Sequence, residues 1–147
     1  MNFYYCETCG NLVIKLEDSG NNLVCCGLDM QLLEAQTVES GIGEKHVPVC
    51  KMDGCILDIK VGSTLHPSLP EHFIKWIYVE TKNGGIIRQL TPTDSPEICV
   101  KLSKDDTPLR VYIYCNLHGL WKCECGGLRT AQFNYCPECG RPLVTVC

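Results

Sequence analysis

A chain of 147 residues and 16.4 kDa makes one ordinary domain, or one medium domain with small satellites. At 45% hydrophobic and 20% charged it is not intrinsically disordered, and its short apolar runs exclude a membrane-spanning helix. A net charge of −4, with no Lys/Arg cluster, argues against a nucleic-acid partner.

The N-terminus, Met1-Asn2-Phe3-Tyr4-Tyr5-Cys6, has neither the basic nor the apolar region of a signal peptide. The chain nevertheless carries 13 cysteines. Without an export signal, that number points to metal thiolates in a reducing cytoplasm rather than to a disulfide framework.

In chain order, the first element is a ribbon. Leu12 to Leu16 is strand-like, Asp18-Ser19-Gly20-Asn21-Asn22 is turn chemistry, and Leu23-Val24 leads into Cys25-Cys26-Gly27. So short a piece buries little core, so a metal is expected to hold it together. Gln36 to Gly43 is polar and reads as a linker.

The body is β-rich. Val47 to Met52 and Cys55 to Val61 flank Asp53-Gly54, a hairpin signal that would put Cys50, Met52, Cys55 and Leu57 on one face. Phe73 to Glu80 and Ile86 to Leu90 flank the turn Lys82-Asn83-Gly84-Gly85, and Glu97 to Leu102 and Arg110 to Cys115 read as two more strands. Short strands at this spacing predict an antiparallel sandwich. The tail is cysteine-rich. The expected division is residues 1–37, a linker at 38–43, a body at 44–122 and a tail at 123–147.

Cys6-x-x-Cys9-Gly10 with Cys25-Cys26 has the composition of a tetrahedral four-thiolate site for zinc or a single iron. A thioredoxin-like redox pair would open a helix in a βαβ pattern, which is absent here. Adjacent cysteines cannot easily point two sulfurs at ideal angles, so this site is expected to be distorted. The four histidines, His46, His66, His72 and His118, all lie in the body. His118 follows Cys115 by three residues, and His66 and His72 sit on a proline-rich stretch. The composition therefore suggests a mixed His/Cys metal site.

These residues fall in recognisable motifs: Glu44-Lys45-His46-Val47-Pro48, Gly62-x-x-x-x-His66-Pro67, Glu71-His72-x-Ile74-x-Trp76-Ile77 and Cys115-Asn116-Leu117-His118-Gly119-Leu120-Trp121. In order and spacing they resemble the motif series of the superoxide reductases. The N-terminal cysteines resemble the desulforedoxin-like domain that precedes it in desulfoferrodoxins. The resemblance covers about residues 3 to 122.

It implies an all-β chain: an immunoglobulin-like antiparallel β-sandwich behind a small metal ribbon. It further implies a mononuclear non-haem iron bound by His46, His66, His72 and His118 in a plane and by Cys115 on the axis, with the sixth position open to superoxide. Lys45 would attract the anion and organise proton delivery, and Glu44 would ligate the oxidised iron. Cys6, Cys9, Cys25 and Cys26 would hold a second iron in a unit that mediates homodimer formation, and a rubredoxin-like protein would return the electron. A superoxide dismutase using the same site, a non-enzymatic electron carrier and a zinc-ribbon adaptor are the competing functions.

The tail departs from the family pattern. Cys123, Cys125, Cys136 and Cys139 form a further four-cysteine set, open to three readings: a mononuclear iron, a structural zinc or a [4Fe–4S] cluster. Cys50, Cys55 and Cys99 read as small core hydrophobes and Cys147 as a frayed terminus. A Cys50–Cys55 disulfide is conceivable after exposure to air.

Overall fold

A computed structural model describes residues 1–38 and 41–125 of the chain. Cys136, Cys139 and Cys147 lie outside the described residues. Two compact units are present, Met1–Glu34 and a second beginning at Ala35. No helix among the described residues is long and apolar enough to cross a membrane.

In the first unit, β1 (Asn2–Tyr5) pairs antiparallel with β2 (Leu12–Lys15) and β5 (Gln31–Leu32), while β3 (Val24–Cys25) and β4 (Leu28–Asp29) form a two-stranded ribbon. Phe3 is its one large side chain that is almost fully buried, so apolar burial contributes little stability here.

Among the described residues the second unit forms a seven-stranded antiparallel sandwich. One sheet has the order β10-β7-β6, from Glu97–Lys101, Ile56–Val61 and Pro48–Asp53. The other has the order β12-β11-β8-β9, from Gly119–Glu124, Pro108–Cys115, Ile74–Thr81 and Gly84–Gln89. The chain crosses between sheets from β7 to β8, from β9 to β10 and from β10 to β11, which is the immunoglobulin-like arrangement expected. Period-2 alternation builds the core: Leu57, Ile59 and Val61 point inward from β7, and Val111, Ile113 and Cys115 from β11. The opposite face of β11 carries Tyr112 and Tyr114, cross-strand from Tyr78 and Trp76, and Trp76 stacks on Tyr114 at 5.6 Å.

Several sequence-based expectations need correction. The first hairpin turns on Gly54-Cys55, one residue later than predicted, because Gly54 (φ +57°) takes the first position of a two-residue loop. Cys55 therefore sits in the turn, and Cys50 lies opposite Ile59. Cys50 is a free thiol, so it forms no disulfide with Cys55. In the second hairpin Lys82-Asn83 suffices as the loop, and both glycines join β9. Cys99 is exposed rather than part of the core, since the alternation of β10 turns Val100 inward.

The described parts of the stretch read as a linker are also structured. Gln36 adds to the edge of β12, its N–H donating to Leu120 O (3.0 Å) and its carbonyl accepting from Lys122 N (2.9 Å), and Gly41–Lys45 forms a 3-10 turn. Strand β12 was not foreseen, and it carries Cys123 as part of the sandwich.

Candidate metal centres

Antiparallel pairing brings distant residues to one end of the sandwich. Pro48 lies opposite Val61, and Ile74 opposite Cys115. His46 before β6, His66 after β7, His72 before β8, Cys115 at the end of β11 and His118 in the β11–β12 turn therefore converge. A register shift between Tyr114 and Cys115 marks a bulge that re-aims the chain at the site.

The four rings close a square. Neighbouring rings have centroids 4.7 Å (His46–His66), 4.5 Å (His66–His72), 4.9 Å (His72–His118) and 4.7 Å (His118–His46) apart, each pair near perpendicular. Across the square His46 and His72 stand 5.8 Å apart and nearly parallel. His46 Nε2 is 3.2 Å from His66 Nε2 and 3.0 Å from His118 Nδ1. Nitrogens at about 2.1 Å from one ion and at right angles would be about 3.0 Å apart. Cys115 Sγ lies 3.6 Å from His118 Nδ1, and ligand atoms of His46, His66, His72 and Cys115 all fall within 4.8 Å of one another.

The protonation pattern requires a cation. His46 Nδ1 donates to Ile42 O, and His66 Nδ1 donates to Pro67 O at 2.7 Å. A carbonyl only accepts, so in the neutral rings each Nε2 is a bare lone pair, and two such lone pairs face each other. His72 Nε2 is buried and has no hydrogen-bond partner. A metal ion resolves both features, and fixing Nδ1–H on a carbonyl is how ligating imidazoles are oriented. Four nitrogens near one plane plus a sulfur do not suit tetrahedral zinc; they suit an octahedral ion with one position free.

The site is held from behind. Asn116 lies between two ligands and clamps a third: its Oδ1 accepts from Phe73 N (2.9 Å) and its Nδ2 donates to Glu71 O (3.0 Å), on either side of His72. Trp121 Nε1 and Gln36 Nε2 both donate to His118 O, and the Trp121 ring stacks on His46 at 4.8 Å. Thr64 N and Ser63 Oγ donate to Glu44 O, and Gly62 N donates to Val47 O. None of these supporting roles was read from the sequence. Asn116 alone had a visible signal, its place between Cys115 and His118. The Glu44 and Lys45 side chains are exposed, and the Lys45 charge helps to lower the pKa of His46 and His72.

Burial is the main force on the imidazoles. His46 and His72 are pushed below their ordinary value, and His66 from 6.5 to about 4, chiefly by desolvation. At neutral pH they are therefore uncharged and ready to ligate. Folding depresses these pKa values, so between pH 6.5 and about 4 the unfolded chain binds more protons. The metal-free protein is expected to lose stability as pH falls through that window, seen as a falling denaturant midpoint. A flat midpoint from pH 7 to 4 would contradict the assignment.

Cys6, Cys9, Cys25 and Cys26 form the second centre, again with ligand atoms within 4.8 Å of one another. Cys9 and Cys25 sulfurs are 3.5 Å apart, and Cys25 and Cys26 sulfurs 4.0 Å. Cys26 adopts φ +53°, which lets adjacent cysteines face one point at a cost of about 1–2 kcal/mol. Hydrogen bonds, foremost from the Cys9 backbone, lower Cys6 to about 6, while the neighbouring sulfurs push Cys26 up to about 12. Without a cation these four sulfurs cannot all be thiolates together.

A third group brings together Cys50, Cys123 and Cys125, with Cys50–Cys123 and Cys123–Cys125 sulfurs each 3.4 Å apart. Sequence spacing joins Cys123 and Cys125 to Cys136 and Cys139, which lie outside the described residues, and leaves out Cys50.

Comparison with known proteins agrees with this arrangement. The desulfoferrodoxin family model matches residues 38–124, and the model of the desulfoferrodoxin N-terminal domain matches residues 1–33. A desulfoferrodoxin from Syntrophotalea carbinolica is 48% identical over 122 residues, covering 82% of this chain and 94% of its own. A desulfoferrodoxin homolog from Archaeoglobus fulgidus is 40% identical over 122 residues, covering 83% and 95%. The crystal structure of a superoxide reductase from Treponema pallidum superposes with a TM-score of 0.70 at 30% identity, covering 84% of this chain and 96% of that one. With both units matched in order, and relatives aligned over nearly their whole length, the chain belongs to the desulfoferrodoxin family.

Proposed function

We propose that this protein is a superoxide reductase, adding one electron and two protons to superoxide to give hydrogen peroxide. The observation that carries the reading is the square of four imidazoles with a single thiolate beside it, five donors that leave one octahedral position for substrate. His46, His66, His72, His118 and Cys115 would hold an iron ion, and that iron would supply the electron.

The protein's own residues prepare that step. His46 and His66, 1% and 2% exposed, are fixed by carbonyl acceptors and keep their Nε2 lone pairs inward. Cys115 is fully buried, and desolvation raises its thiol pKa against the opposing pull of the Leu117 and His118 backbone N–H groups, so a bound cation would favour the thiolate. As a ligand, that thiolate would be the most strongly electron-donating of the five donors. We assign Lys45 to attracting the anion and helping proton delivery, and Glu44 to occupying the open position once peroxide has left.

The negative net charge makes local steering necessary. Lys45→Ala is expected to slow the reaction with superoxide by about 10-fold and to flatten its dependence on ionic strength. An unchanged rate and salt slope would remove Lys45 from this role. The open position is tested by azide or cyanide added to the oxidised protein. A shift in the visible spectrum is expected, and no shift would favour a simple electron carrier.

The Cys6, Cys9, Cys25 and Cys26 set holds the second iron. We further propose a rubredoxin-like electron donor and a cytoplasmic location, which suits thiolate sites. A homodimer through the N-terminal unit is supported by its exposed Leu16, Val24, Leu28 and Leu32. For the tail, a single iron or a zinc is the reading we keep of the three, because the Cys123 and Cys125 sulfurs are 3.4 Å apart, too close for ligands of separate irons of a cluster.

A further inference from the structure

Three thiols at one edge of the sandwich have no part in the chemistry above. Cys50 lies on β6, the edge strand of the three-stranded sheet. Cys123 lies on β12, the edge strand of the other sheet, and Cys125 follows immediately after it. They are far apart in sequence, yet the Cys50 and Cys123 sulfurs are 3.4 Å apart, the Cys123 and Cys125 sulfurs are 3.4 Å apart, and all three lie within 4.8 Å of one another. We propose that Cys50, Cys123 and Cys125 are three thiolate ligands of one thiophilic divalent ion, zinc or ferrous iron, that clips the two sheets together along this edge.

The spacing selects a single ion. Sulfurs at about 2.3 Å from a tetrahedral centre are about 3.8 Å apart. A disulfide would need about 2.05 Å, and all three cysteines are free thiols. Thiolates on separate irons of a [4Fe–4S] cluster would stand roughly 6 Å apart, too wide for this arrangement.

Pairing also builds the site in advance. Cys123 is held opposite Val111, and Cys125 N donates to Leu109 O at 2.8 Å. Cys50 and Cys123 are half-buried against the core, and Cys125 is 3% exposed. Three polarizable, weakly donating thiols directed at one another form a soft cage, the donor type that selects zinc and iron. The desulfoferrodoxin family model ends at residue 124, so the third ligand lies beyond the matched region. Cys50 was the ligand invisible to sequence spacing, since no CxxC or CxC pairs it with anything.

The test counts metals in full-length protein purified without air, by elemental analysis, for wild type, Cys50→Ser and Cys99→Ala. Cys99 is an exposed cysteine on β10 and serves as the control. Wild type and Cys99→Ala should carry a third ion, with at least three sulfurs at about 2.3 Å by X-ray absorption if it is zinc. Cys50→Ser should lose at least two-thirds of that ion while both iron centres keep their spectra, which also shows that the variant is folded. The elemental result tells zinc from iron, and either supports the proposal. A wild type with only two metals, a Cys50→Ser variant with an undiminished third ion, or additional iron with acid-labile sulfide would each overturn it. None of these results touches the superoxide chemistry, whose iron at the imidazole site is counted separately.

Discussion

Cys115→Ser is expected to lower the rate of superoxide reduction by about 100-fold or more and to abolish the thiolate-to-iron absorption that appears on oxidation. The reason is electronic. Cys115 ends the inward row Val111, Ile113, Cys115, where it is fully buried, and a bulge re-aims the chain at that point. Serine fills nearly the same space, so the sandwich should fold. Its hydroxyl is far less acidic than a thiol and stays protonated, which removes both the negative charge and the soft donor. Substitutions that only disturb a metal ligand's surroundings commonly cost 10- to 100-fold, and replacing the ligand should cost at least as much. Iron content must be measured alongside the rate. A variant with full iron and a rate within threefold of wild type would mean that Cys115 is structural.

Gly62→Ala should have the second-largest effect, on assembly rather than on electronics. Gly62 has φ +84°, and a Cβ built there would lie 2.3 Å from Thr64 O and 2.7 Å from both Lys45 Cα and Lys45 C. These are backbone atoms and cannot swing away. They belong to two strips that are hydrogen-bonded together, with Gly62 N on Val47 O and Thr64 N on Glu44 O, while His66 N on Val61 O closes the second strip on itself. Those strips carry His46 and His66. The added methyl must push them apart, at an expected cost of about 2–4 kcal/mol in stability. Iron at the imidazole site should fall several-fold, while the four-cysteine iron on the separate Met1–Glu34 unit stays full. An unchanged unfolding midpoint with full occupancy at both centres would contradict the role given to Gly62.

Much of the architecture is legible in the sequence, and the reason differs by element. Runs such as Ile56-Leu57-Asp58-Ile59-Lys60-Val61 alternate cleanly, because one face meets the core and the other meets water. The imidazole site was legible because its ligands are chemically rare and sit in four spaced motifs. What escaped was whatever depends on register or on contacts between remote segments. The first hairpin was misplaced by one residue because Asp53-Gly54 looks like a turn, whereas Gly54 begins it. Cys50 was read as filler because only the meeting of β6 and β12 brings it to Cys123. Ile42 and Pro67 support the site through backbone carbonyls, which the identity of a residue does not announce, and Asn116 does so by a side chain whose partners lie on a remote segment.

The central claim is that the protein reduces superoxide and does not also oxidise it. Product stoichiometry under a known flux of superoxide, with rubredoxin as donor, tests this most directly. One electron drawn from the donor and one hydrogen peroxide formed per superoxide consumed, with no oxygen evolved, is the expected result. Half a peroxide per superoxide, with oxygen released and the donor left unoxidised, would make the protein a dismutase and contradict the account.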